Sequence, residues 1–374
     1  RRAYAHRIRI MRNPIHFTGL LKAPVSWAKV SRELISALAR QGEYVSAVSL
    51  KGFLYDESFP LRGEVADAVA GKRLPGWDIA LDYPPNFSRL SGKHRAGILI
   101  YEAGRFPNHW AEAAAKYLDI ALVPSRFTLE AAVASGVPRE ILAVVPFGVN
   151  TDTYRPDGRA AALTDRAVNF LAVAAPHVRK GLAELTEAFC RAFTADDDVG
   201  LLIKCPPLAG LGRRPWEYSK IADFIPDGRH GQVVLREGAL SEEEMAALYR
   251  AADVYCQPSW GESFGLAPLE ALACGVPVIA TGWGGVLDFL DESNAWLCGF
   301  EIVDGAAFAY DWRTEAPARM ARPRVGHLAE LLRQAACADD ARRSKGQAGI
   351  RTAEGLTWEQ SARTLVEALG RRLS

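Results

Sequence analysis

The chain has 374 residues, 49% of them hydrophobic, and its 45 basic and 44 acidic residues give a formal net charge of +1. This length exceeds one typical hydrophobic core and predicts two domains, and the balanced charge argues against nucleic acid as a partner. No apolar run approaches the about 20 residues needed to span a bilayer and no signal-peptide pattern is visible, so we expect a cytoplasmic protein.

Cysteine usage agrees with a reducing compartment. None of the six cysteines belongs to a CxxC pair, and several fall inside apolar runs, which predicts buried thiols. They are Cys190, Cys205, Cys256, Cys274, Cys298 and Cys337.

Arginines cluster at the amino terminus. Because the rest of the chain is balanced in charge, they predict at most a weak contact with a membrane surface. The sequence starts at Arg1 rather than Met, which leaves open what precedes it. The cluster consists of Arg1, Arg2, Arg7, Arg9 and Arg12.

The first half of the sequence reads as strands that alternate with helices, which indicates a parallel, doubly wound α/β sheet. A loop over residues 13–22, containing Thr18 and Gly19, follows the first predicted strand, and a helical pattern covers residues 30–38. A polar, alanine-rich stretch that ends near Asp165 predicts a hinge. The strands are predicted at residues 7–11, 45–50, 78–81, 97–101, 119–123 and 144–149.

The second half repeats this alternation without repeating the sequence. Ser241, with Glu244 three residues later, predicts a helix that begins with a capping box. Residues 301–324 carry arginines and aromatic residues and predict an irregular, solvated loop, with an acceptor or anionic-surface contact as the alternative. The strands are predicted at residues 169–174, 201–203, 233–235, 254–256 and 276–280.

Residues 254–281, VYCQPSWGESFGLAPLEALACGVPVIAT, predict a strand, a loop, a helix and a second strand. The helix begins near Gly265 and contains Glu270, and Gly275 suits the left-handed conformation that ends a helix. Such a junction in an open α/β sheet binds ligands, because amide groups and the positive end of the helix dipole face the crevice.

Two glutamates, Glu262 and Glu270, flank the amides at the start of this helix, with seven residues between them. Carboxylates suit vicinal hydroxyl groups and backbone amides suit phosphate, so the combination indicates a sugar nucleotide. In isolation, Glu262 could equally complement the helix N-terminus and Glu270 could be a solvated helix residue. The amides are those of Ser263, Phe264, Gly265 and Leu266.

The glutamate pair within SFGLAPLEALACGVPVIAT resembles the E-x7-E signature of retaining glycosyltransferases of family 4, which have the GT-B fold. The likeness is sharp over residues 251–281 and weaker over most of the remaining chain. It implies two Rossmann-like domains that face each other across a cleft. Residues 1–160 with a returning helix at 356–374 would hold the acceptor, and residues 161–355 would hold the nucleotide sugar.

The resemblance also implies roles for single residues. Glu262 would hold the hydroxyls of the transferred sugar and Glu270 those of the ribose. Lys180, together with the helix amides, would stabilise the leaving diphosphate; a solvated lysine at a helix start is the alternative. The family's usual arginine falls on Ala175, so Arg179 or His177 would have to supply that charge.

Other positions depart from the family pattern. Glu102 replaces a histidine that contacts the transferred sugar, and we expect it to orient or deprotonate the acceptor; a helix cap or an ion pair would explain it equally well. Gly19 would approach the donor phosphate or the acceptor, or serve only in a turn. Lys204 would add charge to the donor site, and Arg236 lies near the expected position of the base.

We therefore predict a retaining hexosyltransferase that moves a sugar from a nucleotide-diphosphate sugar to a glycan, glycolipid or small-molecule acceptor, as in polysaccharide biosynthesis. No cofactor and no metal are expected, because the sequence shows no zinc-type cluster and no carboxylate pair with metal-ligand spacing. A non-catalytic nucleotide-sugar-binding protein and a GT-B epimerase or hydrolase of sugar nucleotides are the alternatives. The nucleotide, the sugar, the acceptor and the oligomeric state stay open.

Overall fold

The computed structural model describes residues 13–52, 55–206, 232–304 and 318–373. These residues form two compact units. Residues 102–105 belong to the second unit, although the predicted boundaries assign them to the first domain, and the main change of unit falls at residue 148. The amino-terminal unit comprises the described residues up to 101, 106–148 and 358–373, and the carboxy-terminal unit comprises 102–105 and the described residues of 149–357.

The amino-terminal unit is built on a parallel sheet. Its strands are β1 (Ile15–Leu20), β2 (Val45–Leu50), β3 (Trp77–Leu81), β4 (His94–Ile98), β5 (Ile120–Val123) and β6 (Leu142–Val144), and its first helices are α1 (Ser26–Arg40), α2 (Gly63–Ala70), α3 (Asn108–Tyr117) and α4 (Arg126–Ala134). The strands lie in the order β2-β1-β3-β4-β5-β6 and every neighbouring pair is parallel. Helix α1 shows the expected periodicity, since Val30, Leu34 and Leu38 share one buried face. The predicted parallel α/β class is confirmed.

The loop predicted at residues 13–22 is wrong, because Ile15–Leu20 is the strand β1. Its side chains alternate between buried and partly exposed over the first four residues, which is the period of two of a strand. The flanking Pro14 and the internal Gly19 concealed this pattern, since both residue types normally interrupt strands. The strand predicted at residues 7–11 lies outside the described residues.

Gly19 therefore lies inside a strand and not in a ligand-binding loop. A Cβ atom at this position would come within 2.6 Å of the Ser31 Oγ atom of α1. The glycine thus allows α1 to pack closely against β1.

Two further strands differ from prediction in their extent. The strand predicted at residues 97–101 is β4, which ends at Ile98, and the strand predicted at residues 144–149 is β6, which ends at Val144. In both cases the apolar residues that follow the strand are buried in irregular chain, so burial alone does not separate strand from loop.

The carboxy-terminal unit is built on a second parallel sheet. Its strands are β7 (Val168–Val173), β8 (Val199–Cys205), β9 (Val233–Glu237), β10 (Val254–Gln257), β11 (Val278–Thr281), β12 (Ala295–Cys298), β13 (Phe300–Asp304) and β14 (Arg319–Pro323), and its helices are α5 (Leu182–Ala192), α6 (Glu242–Arg250), α7 (Leu266–Ala273), α8 (Val325–Cys337) and α9 (Asp339–Glu354). Six of the strands lie in the order β12-β11-β10-β7-β8-β9 and pair in parallel. Apolar side chains of β7, β8, α5 and α8 form a buried core on this sheet.

Local signals place several of these elements as predicted. The side chain of Ser241 accepts a hydrogen bond from the Glu244 amide, and the Glu244 carboxylate accepts one from the Ser241 amide, which confirms the capping box of α6. Gly275 follows α7 with a φ of +79°, the left-handed conformation that ends a helix.

The irregular segment predicted at residues 301–324 is wrong at both ends, where β13 and β14 pair in antiparallel register. Glu301 lies opposite Arg322 in this register. Neither FEIVD nor RMARP alternates regularly between charged and apolar residues, so the period of two that marks a strand was absent from the sequence. Tyr310, Trp312 and Arg313 lie outside the described residues, as do the five arginines of the amino terminus.

The last helix, α10 (Trp358–Leu373), belongs to the amino-terminal unit. None of the helices in the described ranges combines the length and the apolar character that crossing a membrane requires. Four of the cysteines are buried, Cys190 is partly buried and Cys337 is exposed, all as free thiols.

Candidate functional site

The candidate site lies at the turn from β10 to α7, in the carboxy-terminal unit. The loop between them carries Glu262, and Gly265 precedes α7 with a φ of +104°. A Cβ atom at Gly265 would come within 2.6 Å of a methyl carbon of Val286, so both the backbone angle and the packing require glycine. This turn holds Glu262 in a buried position beside the start of the helix.

Glu262 accepts three hydrogen bonds on one oxygen, Oε1. The donors are the Lys180 ammonium at 2.6 Å, the Ser259 hydroxyl at 2.8 Å and the Arg179 guanidinium at 3.2 Å. Burial alone would raise the pKa of Glu262, but the charges of Lys180 and Arg179 and the hydrogen bonds from Lys180 and Ser259 lower it to about 2. Glu262 is therefore an ionised acceptor at neutral pH.

Lys180 contacts Glu262 from a different segment of the chain. It ends a 3-10 turn, Val178–Lys180, that follows β7 and leads through Gly181 into α5. Burial lowers the pKa of Lys180 and the carboxylate of Glu262 opposes that shift. The ion pair thus keeps a proton on a buried amine that would otherwise lose it more readily.

Gly181 makes this arrangement feasible, and its replacement by alanine is expected to be strongly destabilising. Its φ is +66°, and a Cβ atom would lie 2.0 Å from the Pro258 carbonyl oxygen. We expect Gly181→Ala to lower the free energy of unfolding by more than about 3 kcal/mol, measured by urea denaturation.

Gly42→Ala is the matched control for this prediction. Gly42 has a φ of +86°, but no atom lies within 4 Å of its would-be Cβ, so only the backbone term of about 1 kcal/mol applies. Equal losses in the two variants would contradict a close contact between Gly181 and the loop that carries Glu262.

Arg179 joins two buried carboxylates. Its guanidinium donates to Glu102 at 2.8 Å, to Glu262 at 3.2 Å and to the Gly261 carbonyl at 3.0 Å. Its own carbonyl accepts a hydrogen bond from the Trp260 amide. With Lys180, the cluster holds two cations and two anions, so its formal charge is balanced.

Glu102 is part of the carboxy-terminal unit because its segment packs against this loop. A Cβ atom at Gly261 would lie only 2.0 Å from the Glu102 carbonyl oxygen. The Gly104 amide donates to the Arg319 carbonyl of β14. The ion-pair interpretation of Glu102 is the one observed. Its role as the acceptor's base stays a prediction.

The two candidates for replacing the arginine missing at Ala175 differ in charge. The Nδ1 atom of His177 accepts a hydrogen bond from the Arg179 amide. Burial, together with the positive charges of Arg179 and Lys180, lowers the pKa of His177 to about 2, so this ring is neutral at pH 7. Arg179 is therefore the residue of the two that carries positive charge.

Glu270 lies on α7 and is 7% exposed. It accepts a hydrogen bond from the Tyr249 hydroxyl at 3.0 Å. The Tyr249 ring packs edge-on against the rings of Tyr154 and Tyr255, with centroid distances of 5.9 and 5.5 Å. The interpretation of Glu270 as a solvated helix residue is therefore wrong, since the carboxylate is buried in an aromatic environment.

The amides predicted to bind phosphate lie where the sequence indicated. Ser263 and Phe264 are buried in the loop before α7, and Leu266 is its first residue. The Phe264 ring packs on Phe289 at 5.2 Å, which fixes the loop against the turn that follows β11. The first amides of any α-helix have no acceptor within the helix, so this end of α7 is suited to an anion.

The contacts observed for three other predicted residues do not involve this cluster. The Lys204 ammonium donates to the Cys205 and Gly238 carbonyls, and the Arg236 guanidinium donates to the Ala162 carbonyl. Gly19 lies in the amino-terminal unit, inside β1. A donor-binding role for these three stays a prediction that none of the observed contacts favours.

Sequence reasoning missed Ser259 and Tyr249. Ser259 precedes Glu262 by three residues and carried a local signal, because serine side chains commonly bond within turns. Tyr249 carried none, since only the packing of α6 against α7 brings its hydroxyl to Glu270. Among the described residues, no group of three or more His, Cys, Asp or Glu side chains could hold a metal ion.

Comparisons with known proteins agree with this location. Residues 167–311 match the family model described as Glycosyl transferases group 1. A D-inositol 3-phosphate glycosyltransferase of Pseudarthrobacter chlorophenolicus is 34% identical over 185 residues, which is 47% of this chain and 41% of that protein. The chain thus spans about two fifths of the length of the first curated relatives it matches.

Solved structures confirm the predicted GT-B fold. A glycosyltransferase from Rickettsia africae ESF-5 has a TM-score of 0.70 at 14% identity, covering 97% of this chain and 99% of that one. Anabaena Alr3699/HepE, solved in complex with UDP and glucose, has a TM-score of 0.67 at 13% identity, covering 96% and 100%. Both similarities extend over the two six-stranded sheets.

Proposed function

We propose that the chain is a retaining glycosyltransferase of family 4, which moves a hexosyl unit from a nucleoside-diphosphate sugar to an acceptor hydroxyl. The buried contact of 2.6 Å between Glu262 and Lys180 carries the proposal, because it sets a carboxylate and an ammonium beside the start of α7. The match of residues 167–311 to the glycosyl transferase family model supports it, as does the E-x7-E spacing of Glu262 and Glu270.

The donor would be held by groups of matched chemistry. Glu262, ionised at neutral pH, would accept hydrogen bonds from hydroxyls of the sugar, and Glu270 from the hydroxyls of the ribose. The amides at the start of α7 and the Lys180 ammonium would face the diphosphate. The complex of Anabaena Alr3699/HepE with UDP and glucose, in a protein of the same fold, makes uridine the first base to test.

The proposed reaction breaks the bond between the anomeric carbon and the diphosphate oxygen. The acceptor oxygen forms its bond on the same face of that carbon, and its proton passes to the departing diphosphate. Because negative charge grows on the leaving oxygen, an ammonium beside it lowers the barrier. Contacts that are equal in the ground and transition states only strengthen binding, so Lys180 is assigned the larger share of catalysis.

The acceptor would be a glycan, a glycolipid or a small molecule, bound by the amino-terminal unit. Several curated relatives are named for D-inositol 3-phosphate, which makes that compound the first acceptor to test. We also keep the cytoplasm as the proposed location and polysaccharide or glycolipid assembly as the proposed process.

Calorimetric titration with UDP-, GDP-, ADP- and dTDP-sugars tests donor binding. We expect one nucleotide to bind and Glu270→Ala to weaken it by about 10- to 100-fold, because hydrogen bonds to a charged group are lost. Glu330→Ala, at an exposed position of α8, is the control and should bind like the wild type.

The other outcomes separate the alternatives. Absence of binding by any of the four nucleotides contradicts the proposal. Binding without turnover for any acceptor indicates a nucleotide-sugar-binding protein. Nucleotide release that no acceptor accelerates indicates an epimerase or a hydrolase.

A further inference from the structure

We propose that Tyr249 is a specificity-determining residue, which positions Glu270 and thereby gives the site its preference for a ribonucleotide over a 2′-deoxyribonucleotide. This inference rests on the proposed function, since it requires a nucleotide at Glu270. Its basis is the hydrogen bond of 3.0 Å from the Tyr249 hydroxyl to the Oε2 atom of Glu270.

The geometry makes Tyr249 a directional donor. Both residues are almost completely buried, at 0% and 7% exposure, and they sit on two helices, α6 and α7. The Tyr249 ring packs edge-on against the rings of Tyr154 and Tyr255. The hydroxyl therefore has one place to donate, and a buried hydrogen bond of this kind fixes the rotamer of its acceptor.

The protonation state of Tyr249 suits this role. Burial raises its pKa well above the usual range, and the negative charge of Glu270 raises the pKa further. The hydroxyl thus keeps its proton at every pH at which the protein would act, and it remains a donor to the carboxylate.

A carboxylate whose rotamer is already held by a hydrogen bond to one oxygen loses little rotamer entropy when it binds the two hydroxyls of a diol. A carboxylate has about four acceptor positions on its two oxygens, so it can take the bond from Tyr249 and bonds from ribose hydroxyls together. Without Tyr249, the nucleotide itself would have to supply more of the ordering of Glu270, and the bonds from Glu270 to the ribose hydroxyls would weaken.

The test is calorimetric titration of Tyr249→Phe with UDP and 2′-deoxy-UDP, or with the matching pair for whichever base binds. The wild type is expected to bind the ribonucleotide about tenfold more tightly, which is the effect of one hydrogen bond to a charged group. In Tyr249→Phe this ratio should fall to about threefold or less, because the 2′-deoxynucleotide has only one hydroxyl for Glu270 and should lose less affinity than the ribonucleotide.

Tyr255→Phe is the matched control. It removes a buried hydroxyl from the neighbouring ring, but that hydroxyl bonds to Gln257 and to the Val173 carbonyl and not to Glu270. Tyr255→Phe is expected to keep the wild-type ratio of the two nucleotide affinities. Glu270→Gln is the second variant, and it should lose the preference for the ribonucleotide as Tyr249→Phe does. The double variant, Tyr249→Phe with Glu270→Gln, should have the same affinity ratio as Glu270→Gln alone.

Each other result overturns the inference. Three results would remove the specificity role of Tyr249 and leave the proposed function intact. They are an unchanged affinity ratio in Tyr249→Phe, an equal loss of affinity for both nucleotides in that variant, and a wild type that binds the two nucleotides equally. A wild type that binds no nucleotide contradicts the proposed function itself.

Discussion

Replacement of Lys180 by methionine is expected to lower kcat by about 10²- to 10³-fold, the effect of removing one group that stabilises developing charge. Its ammonium lies 2.6 Å from Glu262, beside the start of α7, where the leaving diphosphate would sit. The donor's dissociation constant should change by less than about tenfold, because the amides of α7 still face the phosphates. Steady-state kinetics together with donor titration separate the two effects.

Two variants control the Lys180 prediction. Lys180→Arg retains the charge and should restore part of kcat, whereas Lys116→Met, at an exposed position of α3, should behave as wild type. A kcat of Lys180→Met within threefold of the wild-type value would contradict a role in leaving-group stabilisation.

Glu262→Gln is expected to abolish the advantage of the sugar nucleotide over the free nucleotide. Wild type should bind the sugar nucleotide more tightly than the nucleoside diphosphate, since Glu262 holds the sugar hydroxyls. In the variant the two affinities should converge, with the affinity for the nucleoside diphosphate little changed. Calorimetry with each ligand measures the difference directly.

The same variant should be less stable by about 3 kcal/mol at pH 7, because Lys180 and Arg179 lose the charge that compensates their burial. The pKa of Glu262 falls from 4.5 to about 2 in the folded state, so its stabilisation is complete above about pH 4.5. It should disappear as the pH falls towards 2, since a depressed carboxyl pKa favours the folded state only while the group is ionised. Urea denaturation from pH 7 to pH 2.5 should show the wild type converging on the variant.

Glu184→Gln is the matched control for both effects. Glu184 is a buried carboxylate of α5 that pairs with the half-exposed Arg322, outside the candidate site. It should bind both ligands as wild type does. If the stability difference between wild type and Glu262→Gln stays constant from pH 7 to pH 2.5, the ion-pair assignment of Glu262 is wrong.

The sequence predicted those parts of the site that depend on neighbours along the chain. Gly265 and Gly275 mark the two ends of α7 because only glycine adopts their positive φ at little cost. The strand, loop, helix and strand of residues 254–281 followed from these glycines and from the apolar runs between them.

The sequence did not predict contacts that depend on the tertiary fold. Arg179 bonds to Glu102 across 77 positions of the chain, and no local pattern indicates which of many charged residues will meet. The strand β1 was concealed for a different reason, since Pro14 and Gly19 are typical of loops, but here Pro14 precedes the strand and Gly19 lies within it, in close contact with Ser31 of α1.

The most direct test of the central claim is proton NMR of the product formed from an α-linked sugar nucleotide and an acceptor, with the nucleotide chosen by titration. A retaining transferase with Lys180 at the leaving diphosphate predicts an α-anomeric proton in the product, and its rate of appearance should fall in Lys180→Met. A β-linked product would contradict the retaining mechanism, and a bound donor whose sugar is never transferred would contradict the assignment as a glycosyltransferase.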